Sequence, residues 1–242
     1  MRETRLYTSQ ALSSPDSVEL TGTASHYLIR VLRRSKGDTV ILFNGDGWNY
    51  SGEICEAFRQ RVSIKLVGRH KPNNEAGLKI TLVQAISRGE RMDYSLQKAT
   101  ELGVYCIQPL LCSRVEVRLD EKRKTKRMAH WQGVVISASE QCGRAMVPDV
   151  TEPLSLQEWL STSGDGSRLI LDPEAKTSLS SVTVMNNAVS ILVGPEGGFS
   201  DEEMEQAAGH GVTAVSLGPR VLRTETAGPA AIAVLQAIAG DF

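Results

Sequence analysis

Ser190-Ile191-Leu192-Val193-Gly194-Pro195-Glu196-Gly197-Gly198-Phe199-Ser200 is a short apolar run that ends in a cluster of glycines. The run is β-rich and too short for a helix, so it reads as a buried strand. The glycines let the main chain turn and approach a ligand closely. A second stretch repeats the arrangement: Val215-Ser216-Leu217-Gly218-Pro219-Arg220-Val221-Leu222-Arg223-Thr224-Glu225-Thr226. Leu169-Ile170-Leu171-Asp172-Pro173-Glu174 is a third strand end. Each presents bare backbone at the carboxyl end of a strand, the edge at which open α/β sheets hold small ligands. No Gly-Lys-Ser/Thr follows the first loop, and the Gly-x-Gly-x-x-Gly spacing is absent, so neither a phosphate-cradling loop nor a dinucleotide fingerprint is present. A nucleoside without a pyrophosphate fits better. Each loop taken singly also reads as an ordinary strand-to-helix turn, with Thr224 or Thr226 as a plain cap. The coincidence of three strand ends is what points to one pocket.

Working outward, strands are expected over 79–86, 105–111, 169–172, 189–193 and 214–217. Helices are expected over 92–102, with Gly103 as the stop, over 122–142, from 200 to about 208, and over 230–239. Ser200 and Glu203 have the spacing of a capping box, and Pro229 is expected in the first turn of the last helix. Strands alternating with helices predict a mostly parallel sheet covered on both faces. The first seventy residues read differently. Strands over 39–43, 48–54 and 62–67 surround the turn Asn44-Gly45-Asp46-Gly47, with a helix over 24–34. This is a small barrel-like β module. The polar stretch Lys71-Pro72-Asn73-Asn74-Glu75-Ala76-Gly77 places a domain boundary after Lys71, giving domains 1–71 and 72–242.

The 242 residues are 41% hydrophobic and 23% charged, as in an ordinary globular protein, and the 5% aromatic content predicts an aliphatic core. No apolar run reaches the ~20 residues of a membrane span. The N-terminal residues lack a secretory apolar stretch, so a cytoplasmic location and no membrane partner are expected. Cys55, Cys106, Cys112 and Cys142 form no Cys-x-x-Cys pair and have no metal-type spacing to His26, His70, His130 or His210. They are expected to be idle thiols, with no metal and no disulfide. Net charge is −1, unevenly spread: 11 Lys and Arg against 7 Asp and Glu up to Lys71, then 16 against 21. A basic first part suggests a polyanionic partner. Candidate RNA contacts there are Arg2, Arg5, Arg30, Arg33, Arg34 and Lys36. Further candidates are Arg88, Arg91, Arg114, Lys122, Arg123, Lys124, Lys126 and Arg127, although a solvated helix face would also carry the last five.

The two glycine stretches closely resemble the paired signatures of the RsmE family, the small-subunit ribosomal RNA uridine N3-methyltransferases of the SPOUT superfamily. Arg88-Gly89-Glu90-Arg91-Met92-Asp93, Gln97-Lys98-Ala99-Thr100-Glu101-Leu102-Gly103, Ser139-Glu140-Gln141-Cys142-Gly143-Arg144 and Phe43-Asn44-Gly45-Asp46-Gly47 resemble it too, in the family's order. Gly228-Pro229 and Tyr94, where an indole is often seen, depart from its pattern. The resemblance implies a PUA-like RNA-binding β-barrel followed by a SPOUT α/β domain with a C-terminal trefoil knot. It implies a homodimer, S-adenosyl-L-methionine as cofactor, and methylation of one specific uridine in 16S ribosomal RNA, preferably in the assembled 30S subunit. The cofactor is then expected on Leu171 and Asp172, on Gly194, Pro195, Glu196, Gly197 and Gly198, and on Leu217, Gly218, Leu222, Arg223, Thr224 and Thr226. Arg223 is expected to stabilise the uracil anion, with Glu225 or Glu196 as the alternative proton acceptor. Two other readings stay open: a SPOUT methyltransferase with another RNA target, and a non-catalytic RNA-binding assembly factor.

Overall fold

In the computed structural model, which describes residues 3–58, 60–115, 120–164 and 166–242, the chain divides into two compact units. The first comprises 1–75 with 139–147, and the second comprises 76–138 with 148–242. Residues 72–75 and 139–147 therefore group with the first unit, beyond the single cut expected after Lys71.

The first unit is a five-stranded sheet of β1 (Arg5–Tyr7), β2 (Ser17–Thr21), β3 (Thr39–Phe43), β4 (Asn49–Phe58) and β5 (Arg61–His70), in the order β1-β3-β4-β5-β2. Only the β1–β3 pairing is parallel. Val62, Ile64 and Leu66 alternate inward along β5 and meet Leu20, Leu28, Val40, Leu42, Tyr50 and Ile54 in one core. The register of β4 on β5 slips twice, at Ser51/Gly52 and Ile54/Glu56, and such bulges curl a sheet. A Cβ on Gly52 would lie 2.5 Å from the Ile64 side chain, so only glycine allows this approach. The expected helix over 24–34 is shorter and irregular: α1 (Gly22–His26) runs into a π-helical turn over Tyr27–Val31. Arg33 then takes a left-handed φ of 53°. The segment 139–147 is held by the buried Arg144, whose guanidinium meets the Glu75 carboxylate at 2.8 Å, and by Glu140, which accepts from the Tyr7 N–H at 2.9 Å.

The second unit is a parallel sheet. Its strands are β6 (Lys79–Ala85), β7 (Cys106–Leu111), β8 (Asp149–Val150), β9 (Leu154–Ser155), β10 (Ser167–Leu171), β11 (Ala188–Val193) and β12 (Thr213–Val215). The order is β12-β10-β11-β6-β7-β8, with β9 also on β7. Its helices are α2 (Glu90–Glu101), α3 (Glu121–Cys142, of which 139–142 group with the first unit), α4 (Leu156–Leu160), α5 (Asp201–Gly209) and α6 (Thr224–Ala239). Ile80, Leu82, Val83, Ile191, Leu192 and Val193 are all buried, the near-continuous apolar pattern of strands covered on both faces. The expected strands and helices of this unit are present, with one displaced start. The last helix begins at Thr224, six residues before 230, so Pro229 lies inside it and not in its first turn. Without an N–H on Pro229, the Glu225 carbonyl loses its helical partner. The run Thr224-Glu225-Thr226 reads as a loop because its hydroxyls are cap formers; tertiary bonds make it the first turn.

Candidate active site

Because every pairing in the second sheet is parallel, the carboxyl ends of β6, β7, β10, β11 and β12 lie on one edge. The loops 86–89, 112–115, 172–178, 194–200 and 216–223 therefore share that edge. Ser200 makes the expected capping box at the head of α5: its hydroxyl accepts from the Glu203 N–H while the Glu203 carboxylate accepts from the Ser200 N–H. The other Glu203 oxygen accepts from the Ser113 N–H at 2.7 Å, tying the β7 loop to the β11 loop.

The glycines of the β11 loop have different reasons to be glycine. A Cβ on Gly194 would sit 3.2 Å from the Phe199 ring, so its smallness serves packing of the loop on itself. Gly198 has φ +68° with open space where a side chain would point, and Gly218 of the β12 loop has φ +92° with the same open space. At these two points the main chain is bare. Leu171 ends β10, the Asp172 N–H donates to the Val215 carbonyl at 2.9 Å, and Leu217 and Leu222 are half-buried. Bare peptide groups beside leucines suit a flat group that is apolar on its faces and polar at its rim, such as adenine.

Two arginines hold the β11 loop. Arg91 donates to Glu196 at 2.6 Å, and Arg114 donates to the Gly197 carbonyl at 2.6 Å and the Phe199 carbonyl at 3.2 Å. Burial opposes ionisation of Glu196, but its own backbone N–H, the Arg91 hydrogen bond and the charges of Arg91 and Arg88 together hold its carboxyl below the usual range. Arg88, Arg91 and Arg114 line an open cleft of about 860 Å³ with Ser113 and Gly197.

Thr224 is buried, and its hydroxyl is used within the protein. Its hydroxyl donates to the Gly194 carbonyl at 2.7 Å and accepts from the Gln84 amide at 3.0 Å. It braces β6, β11 and α6 together. Arg223 is the residue before the helix and is exposed; its carbonyl accepts from the Thr226 and Ala227 N–H groups, each at 2.9 Å, while its guanidinium has no hydrogen bond or ion pair among the described residues. Glu225 is half-buried, and its Oε2 is buried without a hydrogen-bond partner. Thr226 is exposed beside it. Gln84, whose amide donates to the Thr224 hydroxyl, is the residue of this cluster that sequence reasoning missed. A single amide inside the apolar run 79–86 was the available signal for Gln84.

The basic candidates separate into groups. Arg2 lies outside the described residues, as do 116–119 of the stretch from Arg114 to Arg127. Arg5 is turned inward: it donates to Asn49 Oδ1 and the Arg144 carbonyl, each at 2.9 Å, and lies over the Phe43 ring at 4.9 Å. Burial lowers its pKa. Arg34 is half-buried on the Thr4 hydroxyl at 2.9 Å. Arg30, Arg33 and Lys36 are exposed in the first unit, and Lys122 and Lys126 in the second. Arg123 pairs with Asp120 and Lys124 with Glu152. The four cysteines are free thiols, and burial pushes Cys106 up to about 11 and Cys112 up to about 12. Among the described residues no group of His, Cys, Asp and Glu is placed to hold a metal ion, and no helix is long and apolar enough to cross a membrane.

Comparison with known proteins agrees with this arrangement. Residues 74–236 match the family model of an RNA methyltransferase domain, and 20–67 that of an RNA methyltransferase PUA domain. The ribosomal RNA small subunit methyltransferase E of Buchnera aphidicola subsp. Schizaphis graminum is 34% identical over 239 residues, covering 98% of this chain and 97% of its own. A methyltransferase from Legionella pneumophila, solved with bound SAM, superposes with a TM-score of 0.96 at 39% identity over 100% of both chains. The ribosomal RNA small subunit methyltransferase E of Neisseria gonorrhoeae, solved with S-adenosyl methionine, does so at 0.93 and 38%, again over 100% of both.

Proposed function

We propose, since this chain belongs to the ribosomal RNA small subunit methyltransferase E family, that it methylates N3 of one uridine of 16S ribosomal RNA, uridine 1498 in the family's convention, with S-adenosylmethionine as donor. The observation that carries this reading is the bare main chain at Gly198 and Gly218, in a chain that matches two S-adenosylmethionine-bound relatives end to end. Leu171, Gly198, Leu217, Gly218 and Leu222 would hold the cofactor, largely through peptide groups. When bound, it supplies an electrophilic methyl on a sulfonium whose sulfur keeps the bonding pair on departure.

Uracil N3 carries a proton at neutral pH, and that proton must leave before the nitrogen pair can bond to carbon. Glu225 takes it. Glu196 is the poorer acceptor, because Arg91 and its own backbone N–H already stabilise its ionised form. Arg223 donates to a uracil carbonyl oxygen as negative charge gathers there, a charge-assisted bond aimed at the transition state. The positive end of α6 adds to the same field. Arg30, Arg33 and Lys36 supply basic surface for RNA on the first unit, and Arg88, Arg91 and Arg114 do so on the second.

Three finer features belong to the same reading. A C-terminal trefoil knot is supported by the path of the chain: it reaches the edge strand β12, then returns so that Thr224 bonds the end of β11 and Gln84 of β6. Exposed Tyr105, Ile238 and Phe242 are apolar surface suited to a homodimer. The preferred substrate is the assembled 30S subunit in the cytoplasm. The test is calorimetric titration with S-adenosylmethionine, followed by methylation of small subunits from cells lacking the endogenous enzyme and mass-spectrometric mapping of the product. The expected product is N3-methyluridine. A ribose 2′-O-methyl group would overturn the assignment of the reacting atom, and absence of cofactor binding would indicate an assembly factor.

A further inference from the structure

A recess of about 340 Å³ opens between the first turns of α2 and α6, lined by Glu90, Arg91, Tyr94, Glu225 and Thr226. Tyr94 is 49% exposed there; the Lys98 ammonium lies over its ring at 5.9 Å from the centroid, so a second flat group would stack on the opposite face. The rest of the lining is polar in both senses, with carboxylates, a guanidinium and a hydroxyl. Glu225 contributes a half-buried carboxylate whose Oε2 is closed off inside the protein, so its other oxygen is the one a ligand in the recess can meet. An ionised carboxylate is acceptor-only, so its partner there is a donor. The neighbouring Thr224 is bonded to the Gly194 carbonyl, so the recess borders the glycine loop that holds the methyl donor in the proposed function.

We propose that this recess receives the target base turned out of its stack, with the Tyr94 ring against the base and the Glu225 carboxylate accepting the hydrogen bond of uracil N3–H. This rests on the proposed function and adds to it a discrimination between pyrimidines. Uracil offers a donor at N3. Cytosine offers a lone pair at the same place, which would face the carboxylate with neither side satisfied. A site built to accept one N–H rejects the analogue that lacks it more strongly than an apolar pocket does. Arg223 donates to one uracil carbonyl in the proposed function, and Arg91 and Thr226 line the recess with further donors within reach of the other. Extrusion of the base costs stacking energy, and the Tyr94 face returns part of it.

The test uses the whole chain with small-subunit RNA. Tyr94→Ala should raise KM for the RNA by about tenfold, as expected for loss of one base–aromatic stack. Tyr94→Trp should restore KM, and calorimetric affinity for S-adenosylmethionine should be unchanged in both. Glu225→Gln keeps a carbonyl acceptor for N3–H but takes no proton, so KM should hold within about threefold while kcat falls by about a hundredfold or more. RNA carrying 4-thiouridine at the methylated position should photocrosslink to a peptide that contains Tyr94 or Glu225. Crosslinks confined to other peptides would overturn the proposal, as would a Tyr94→Ala variant that weakens cofactor binding as much as RNA binding. Failure of the wild-type chain to methylate the RNA at all would instead strike the proposed function.

Discussion

In the proposed function Arg223 serves catalysis and Gly198 serves cofactor binding, and variants at the two should separate these roles. Arg223 is exposed and unpaired, so nothing in the protein depends on its guanidinium. Arg223→Ala should therefore lower turnover by about 10²–10³-fold, the usual effect of removing one transition-state donor, with S-adenosylmethionine affinity changed less than about twofold. Single-turnover rates and calorimetry measure the two separately; equal losses in both would make it a cofactor-positioning residue. Gly198 holds φ +68°, which a β-branched residue resists. Gly198→Val should weaken S-adenosylmethionine by at least about tenfold while circular dichroism stays native; normal binding would place the cofactor elsewhere. Both residues are legible in the sequence as members of glycine-rich loops. The division of labour among the glycines is not, because the reason for Gly194 is the Phe199 ring folded back over it.

The capping boxes show what an element can and cannot announce. At Ser200 the box precedes a helix of nine residues, long enough to read. Ser155 and Glu158 form the same box before α4, but five residues carry no visible period, and the helix goes unexpected. β1 and β2 escape for a related reason: they are three and five residues long and pair with strands far along the chain. Ser200→Ala removes one acceptor from the head of α5 and should cost about 1 kcal/mol. Urea denaturation should show a lower midpoint at unchanged slope, whereas an unchanged midpoint would mean that Glu203 holds the turn alone through Ser200 and Ser113 N–H groups.

For the chain as a whole, charge distribution makes the prediction. The first unit carries exposed Arg30, Arg33 and Lys36, the second exposed Lys122 and Lys126. If these meet phosphates, affinity for small-subunit RNA should fall by about a hundredfold between 50 and 200 mM salt, on the order expected for several neutralised phosphates. Filter-binding or fluorescence anisotropy across that range would show it, and a flat response would exclude a basic track. Arg5 stands apart, since its guanidinium is already bonded to Asn49 and the Arg144 carbonyl. Arg5→Ala should leave the salt slope unaltered. The grouping of 139–147 with the first unit rests on an ion pair between Glu75 and Arg144, 69 positions apart, which no local pattern can disclose.

Hydrophobic period, turn chemistry and cap spacing are properties of neighbouring residues, so alternating strands and helices, the glycine loops at strand ends and the family's motifs were all readable from the chain. Folding alone decided where each polar group spends its hydrogen bonds. It spent the Thr224 hydroxyl on a brace between Gly194 and Gln84, directed Arg5 inward, and left Glu225 beside an exposed tyrosine with an oxygen unpaired. These outcomes join residues scores of positions apart, and the energy of a hydrogen bond or a buried charge depends on surroundings that exist only once the chain has closed on itself.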